Sequence, residues 1–148
     1  MSEKKFSNNK AFALSLICIF LFLTNCEGEN SMTTKETIQG YFNSLKQKTG
    51  WESFLSDGMI FTSFTSPIKQ VTGKEAYLES TKRFYSMIVS FEIKDLLIEE
   101  DKACALTHYE LQPPKGNTFS SDVAEIFTVK NGKINSFTIY FDSSPFPK

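Results

Sequence analysis

Val123-Ala124-Glu125-Ile126-Phe127-Thr128-Val129-Lys130-Asn131-Gly132-Lys133-Ile134-Asn135-Ser136-Phe137 is the stretch on which the fold turns. Its side chains alternate in character with period two on both sides of Asn131-Gly132, as they do in strands with two different faces. Asn-Gly is the preferred centre of a type I′ turn, because both central residues need positive φ and these two reach it at least cost. The reading is a β-hairpin with strands Phe119 to Lys130 and Lys133 to Phe141. Outward from it the same alternation covers Lys102 to Leu111 and Val89 to Glu99. The joins are Glu100-Asp101 and the longer turn Gln112-Pro113-Pro114-Lys115-Gly116-Asn117. From Val89 onward the chain is expected to form an antiparallel meander.

The residues before Val89 follow a different period. Thr33-Thr34-Lys35-Glu36 has the form of a capping box, and Ile38, Tyr41, Phe42 and Leu45 then recur at helical spacing. This helix ends near Gly50, with Lys46 and Lys48 near its C-terminus, where cations suit the helix dipole. Trp51 to Leu55 predicts one short further helix, closed by Ser56-Asp57-Gly58. The β-branched and aromatic run Met59 to Thr65 predicts a strand ended by Pro67. A second long helix is expected from Lys74 to about Met87, with Tyr77, Leu78, Thr81, Phe84, Tyr85 and Ile88 on one broad face. Helix, short helix, strand, helix and then a meander define an α+β domain with helices on one face of the sheet.

Composition narrows the function classes. The chain has 148 residues, 16 basic against 17 acidic side chains and a net charge of −1, which offers no electrostatic footprint for nucleic acid. Its 41% hydrophobic content, with 15 Phe, implies a packed core. Three cysteines with no C-x-x-C spacing, and no H-E-x-x-H, give neither a disulfide framework nor a metal site, and no cofactor motif is present.

The first residues read as an address. Lys4, Lys5 and Lys10 precede Ala11 to Leu23, an uncharged apolar run of 13 residues. As a helix that run covers about 20 Å, short of the roughly 30 Å of a bilayer core, so it reads as the h-region of a signal peptide. Leu23-Thr24-Asn25-Cys26 resembles the lipobox of bacterial lipoproteins, in which the Cys is acylated and becomes the new N-terminus; Asn25 stands where Gly, Ala or Ser is usual. Ordinary cleavage nearby and an uncleaved anchor are the alternatives. The expected organisation is residues 1–25 as leader, 26–32 as tether and 33–148 as the folded domain. The implied partner is a bacterial membrane, inner or outer, held through acylated Cys26. Loss of the leader removes Lys4, Lys5, Lys10 and Glu3 and leaves 13 basic against 16 acidic side chains, a net of −3. Cys104 is then the sole remaining thiol, expected as a small buried apolar side chain.

The element order, with Gln39-Gly40-Tyr41-Phe42-Asn43-Ser44-Leu45 on the first helix, resembles the SnoaL-like group of the nuclear transport factor 2-like superfamily. Trp51 to Asp57 before the first strand, Gly73 opening the second long helix, and Glu125-Ile126-Phe127 ahead of Asn131-Gly132-Lys133-Ile134 carry the same likeness. The resemblance implies a cone-shaped roll, in which a curved, mostly antiparallel sheet wraps two long helices and a short one around a pocket. It includes ketosteroid isomerase, scytalone dehydratase and polyketide cyclases beside many binding modules. By position, Tyr41 resembles the tyrosine donor of the isomerase and Glu125 its protonated carboxylic acid. Ser63 stands where the aspartate base belongs, and a hydroxyl is too weak a base for that proton.

The resemblance marks Tyr41, Tyr109, Glu125, Phe127, Phe137, Ile139 and Phe141 as ligand-binding candidates, with Tyr41 and Glu125 the catalytic ones. Each has a plainer reading. Tyr41 also fits as a core tyrosine with its hydroxyl at the rim, and Glu125 as an outward side chain of the convex face. The family pattern turns His108 outward, Asp57 reads as a turn residue, and Trp51 as core. Three functions follow: a lipid-anchored module binding a small apolar or amphipathic molecule or a protein, without catalysis; an isomerase, dehydratase or cyclase of the same fold using Tyr41 and Glu125; or an envelope lipoprotein that forms a homodimer through the outer face of its sheet, where His108, Glu110, Ile126 and Thr128 would lie.

Overall fold

The computed structural model describes residues 31–65 and 69–146. The expected leader, Cys18, the expected acylation site Cys26 and Pro67 lie outside the described residues.

Thr33 caps α1 (Thr34–Lys46) as its sequence demands: its hydroxyl accepts from the Glu36 amide, while the Glu36 carboxylate accepts from the Thr33 amide at 2.8 Å. Ile38, Tyr41, Phe42 and Leu45 form its buried stripe. The helix stops one turn before Gly50, where Lys48 and Gly50 take positive φ and the Thr49 amide returns to the Ser44 carbonyl. A 3₁₀ helix (Trp51–Phe54) then folds back on α1. Gly40 permits that approach, because a Cβ there would stand 2.6 Å from the Phe54 ring.

Six strands make one sheet: β1 (Leu55–Ser63), β2 (Gln70–Thr72), β3 (Ile88–Glu99), β4 (Lys102–Leu111), β5 (Phe119–Lys130) and β6 (Lys133–Phe141). Their spatial order is β2-β1-β6-β5-β4-β3. All pairs are antiparallel except β1 with β6. Asn131 and Gly132 both have positive φ, so the hairpin turn is the one that the dipeptide predicts. Bulges between Ile88 and Ser90, Ile93 and Asp95, and Thr128 and Val129 bend the strands. The sheet therefore curls over its helices, and the expected α+β cone is the observed fold.

Three details depart from the sequence reading. The first strand begins at Leu55 rather than Met59, because Leu55 pairs with Ile134 on β6 and the Ser56 hydroxyl reaches Asn135 at 3.3 Å. Asp57 is thus a strand residue, exposed, with its carboxylate 3.9 Å from Lys74 Nζ. β2, three residues long, carries too little pattern to be read from sequence. Cys104 is half-buried on the outer face opposite Leu97 and Ile126, not enclosed, since Ala103 and Ala105 take the inward positions.

α1 packs under β3 to β6, and α2 (Lys74–Met87) lies against β1 and β2. Beneath α1 the core is aromatic: Phe127 and Phe137 stack at 4.5 Å between ring centres, and Tyr41 meets both edge-on. Only Tyr77 and Met87 of α2 are fully buried. Thr81, Phe84 and Tyr85 stay half-buried because the helix face they share looks onto a cavity, not onto packed sheet.

Candidate functional site

Between α2, the end of β1 and the inner face of β5 and β6 lies a cavity of about 460 Å³. That is within the usual range for a small-molecule site. Phe61, Phe84, Val123, Phe137, Ile139 and Phe141 give it an apolar wall, and Thr65, Ser80, Arg83 and Ser143 are exposed at its rim.

Glu125 is the one carboxyl among the described residues lining this space. Period two places it on the inner face of β5, opposite Ala105 on β4 and Ile139 on β6. The same period points Thr107 and Tyr109 of β4 inward beside it. Thr107 Oγ1 donates to Glu125 Oε2 at 2.5 Å, and the Tyr109 hydroxyl donates to Oε1 at 3.0 Å. Burial pushes the Glu125 carboxyl up to about 7, against the two donors, which favour the ionised form. Near neutral pH the group can therefore still hold a proton that an ordinary carboxyl would have given up.

A second polar cluster adjoins it. Tyr85 is hydrogen-bonded through its hydroxyl to Tyr41 at 2.9 Å and to Tyr77, and its ring lies 4.4 Å from that of Trp51. Burial raises all three phenols, and Tyr109 too, above the usual tyrosine range, so they act as neutral donors and acceptors. Tyr77 and Tyr85 line the cavity.

Of the residues marked by sequence, Glu125, Phe137, Ile139 and Phe141 line the cavity. Tyr41, Tyr109 and Phe127 do not. Tyr41 is fully buried in the core rather than at the rim, with its hydroxyl on Tyr85; Tyr109 holds Glu125 from the side; Phe127 packs beneath Tyr41. Ser63, which the resemblance sets at the place of the isomerase's base, is buried and does line the cavity. His108 faces outward, where its ring bonds Asp122 at 2.6 Å and Glu110 at 3.1 Å; these hydrogen bonds raise its pKa. Trp51 is buried in the core cluster. Sequence reasoning passed over Tyr77, Tyr85 and Arg83. The signal for the tyrosines was present, in the broad aromatic face of the second helix, but a helix face reads alike whether it meets a core or a cavity.

A curled α+β cone with an apolar cavity and one buried acid in its wall defines the class of protein. The sequence model of the SnoaL-like domain matches residues 38–137, more than half of the chain, and the chain belongs to that family. No curated protein sequence matches it significantly. Among solved structures, it is similar to an NTF2-like protein from Burkholderia thailandensis (15% identity, TM-score 0.66, covering 76% of this chain and 92% of that one). A protein from Mesorhizobium loti, provisionally assigned as a SnoaL-like polyketide cyclase, matches at 22% identity and TM-score 0.63, over 74% of this chain and 99% of that one. One from Bacillus subtilis, provisionally assigned as an isomerase, matches at 17% identity and TM-score 0.63, over 74% and 86%. At these identities the likeness establishes the fold alone.

Proposed function

We propose that this chain is an exported bacterial lipoprotein of the SnoaL-like family, held to its membrane through acylated Cys26, whose cone binds a small apolar or amphipathic molecule. The observation that carries the binding reading is the cavity itself: about 460 Å³, walled by Phe61, Phe137, Ile139 and Phe141, with a single carboxyl among the described residues that line it. The anchor reading rests on the lipobox-like Leu23-Thr24-Asn25-Cys26. Ser31 and Met32, the first described residues, lie against the Gly132 turn, so the chain leaves the domain at the β5–β6 end. Exposed Leu106, Ile126 and Tyr140 on the outer sheet face support pairing of two copies there.

A catalytic reading has one specific observation in its favour. Glu125 is set near neutrality in the cavity wall, and a carboxyl so placed can act as a general acid or base. The hydroxyl donors available to a bound carbonyl are then Tyr77 and Tyr85, with Tyr41 acting through Tyr85. The isomerase chemistry that the resemblance implies uses an aspartate base beside the protonated acid, and by that resemblance Ser63 stands where the base belongs. Binding without turnover is therefore the better-supported function.

Native mass spectrometry of the full chain purified from membranes tests the binding reading. A retained small molecule, lost when Phe137→Trp fills the cavity, is expected; an empty protein that also takes up no apolar probe would overturn it. For the anchor, Cys26→Ala is expected to abolish acyl labelling and shift the chain to the aqueous phase. Unchanged membrane partition would overturn it.

A further inference from the structure

The cavity has two polar poles of different kind. Its inner pole is Glu125, buried and held by Thr107 and Tyr109. Its outer pole is Arg83, exposed at the rim on the third turn of α2. Arg83 is the only arginine in a chain with 15 lysines. It forms no ion pair among the described residues, and no lysine or aspartate is among the described residues lining the cavity. The neighbouring hydroxyls of Ser80 and Thr81 both donate to the Tyr77 carbonyl, at 2.9 and 2.7 Å. Among the described residues the guanidinium is thus the one permanent charge at the entrance, and its donors are uncommitted. Between the poles the surface is aromatic and aliphatic.

We infer that the occupant is an amphipathic monocarboxylate, seated with its apolar body against Phe61, Phe84, Phe137 and Ile139 and its carboxylate on Arg83 at the rim. This rests on the reading of the cavity as a binding site and names the ligand class. Three physical points select that class. A guanidinium presents a planar fork that matches a carboxylate with two parallel hydrogen bonds, which an ammonium cannot do. A single fixed cation neutralises a single anionic group, whereas a polyanion would bring uncompensated charge to a rim otherwise made of hydroxyls. The orientation is also fixed: an anion carried to the inner pole would lose its hydration beside Glu125, while at the rim it keeps part of its water.

The test uses the full chain in zwitterionic lipid nanodiscs, with empty nanodiscs as the blank. Fluorophenylbutyrate and its primary amide share one apolar body and differ in charge, and fluorine NMR titration gives a Kd for each at neutral pH. The carboxylate is expected to bind about three- to tenfold more tightly than the amide, the gain of one partly exposed, forked ion pair. Arg83→Gln is expected to remove that preference, and Arg83→Lys to restore part of it. Lys82→Gln, an equal change of net charge one residue away and off the cavity wall, is expected to keep it. Equal binding of the two probes, or a preference that survives Arg83→Gln or disappears in Lys82→Gln, would overturn the proposal while leaving the cavity a binding site. Failure of both probes to bind at millimolar concentration would overturn the binding reading together with this one.

Discussion

Thr107 and Glu125 meet across adjacent strands, both buried, and the threonine hydroxyl donates to Glu125 Oε2 at 2.5 Å. The contact follows from sheet geometry. Ala105 stands directly opposite Glu125, and Thr107, two residues along, projects from the same face. A carboxyl on an apolar face needs partners when buried, and the inward-facing hydroxyls of β4 supply them. They hold the group without neutralising it, so burial still governs its proton.

Removal of that donor is expected to move the proton further. Thr107→Val keeps the shape and deletes a hydrogen bond that favours the ionised form, so the Glu125 carboxyl should titrate above its present value of about 7. Carbon-detected NMR of the Glu125 side chain reads this directly. A midpoint that falls, or stays where it is, would show that Thr107 does not stabilise the carboxylate.

The same shift couples to stability. Glu125 has a folded pKa of about 7 against an ordinary value of 4.5, so between those values the native state keeps a proton that the unfolded chain has released. The unfolded state then binds fewer protons, and stability falls as pH rises from 4.5 to 7, levelling above. The shift corresponds to about 3 kcal/mol. Glu125→Gln cannot ionise and is expected to lose this slope, gaining on the parent chain by up to about 3 kcal/mol at alkaline pH and not at acid pH. Denaturant titrations of both chains at the two ends check it, and parallel pH profiles would show that Glu125 ionises normally.

Tyr85→Phe separates the two hydrogen bonds of the phenol cluster from its packing. The ring contact with Trp51 survives, but the buried hydroxyls of Tyr41 and Tyr77 lose their common partner. Leaving a buried hydroxyl unpaired costs about 1–3 kcal/mol, and two are left here, so the variant is expected to lose at least that much. Tyr41→Phe, which removes one hydroxyl and leaves Tyr85 bonded to Tyr77, is expected to lose less. Chemical denaturation ranks the two, and equal losses would mean that Tyr85 is not the shared partner.

How much of this was legible depended on whether the cause was local. The capping box at Thr33 and the turn at Asn131-Gly132 are decided within a few residues, and β4, β5 and β6 begin and end where alternation and turn chemistry place them. The start of β1 is decided by its parallel partner β6, about 80 residues away, so Ser56-Asp57-Gly58 reads as a turn and forms strand. In the site, Glu125 stood out because a charge on an apolar strand face is costly without a reason. Tyr77 and Tyr85 did not, because helical spacing shows which residues share a face and not what that face meets. Arg83 is conspicuous only as a composition, one guanidinium among many ammonium groups, and gains meaning from its place at the rim.

Gly40 offers a test in which two effects of opposite sign are separated. In the middle of α1, glycine is about 1 kcal/mol worse than alanine, so Gly40→Ala should stabilise an isolated helix. Here the added Cβ would stand 2.6 Å from the Phe54 ring, and overpacking of this kind costs about 1–3 kcal/mol. Phe54 is half-buried and packs on the core, so its ring can yield only by giving up those contacts. The clash outweighs propensity, and Gly40→Ala is expected to destabilise the domain by up to about 2 kcal/mol. In a Phe54→Ala background the obstacle is gone and propensity alone remains, so the same substitution should now stabilise by up to about 1 kcal/mol. A change of sign between the two backgrounds, measured as a double-mutant cycle in urea, is the expected result. A loss of equal size in both would place the role of Gly40 in the helix backbone rather than in the approach of the 3₁₀ segment.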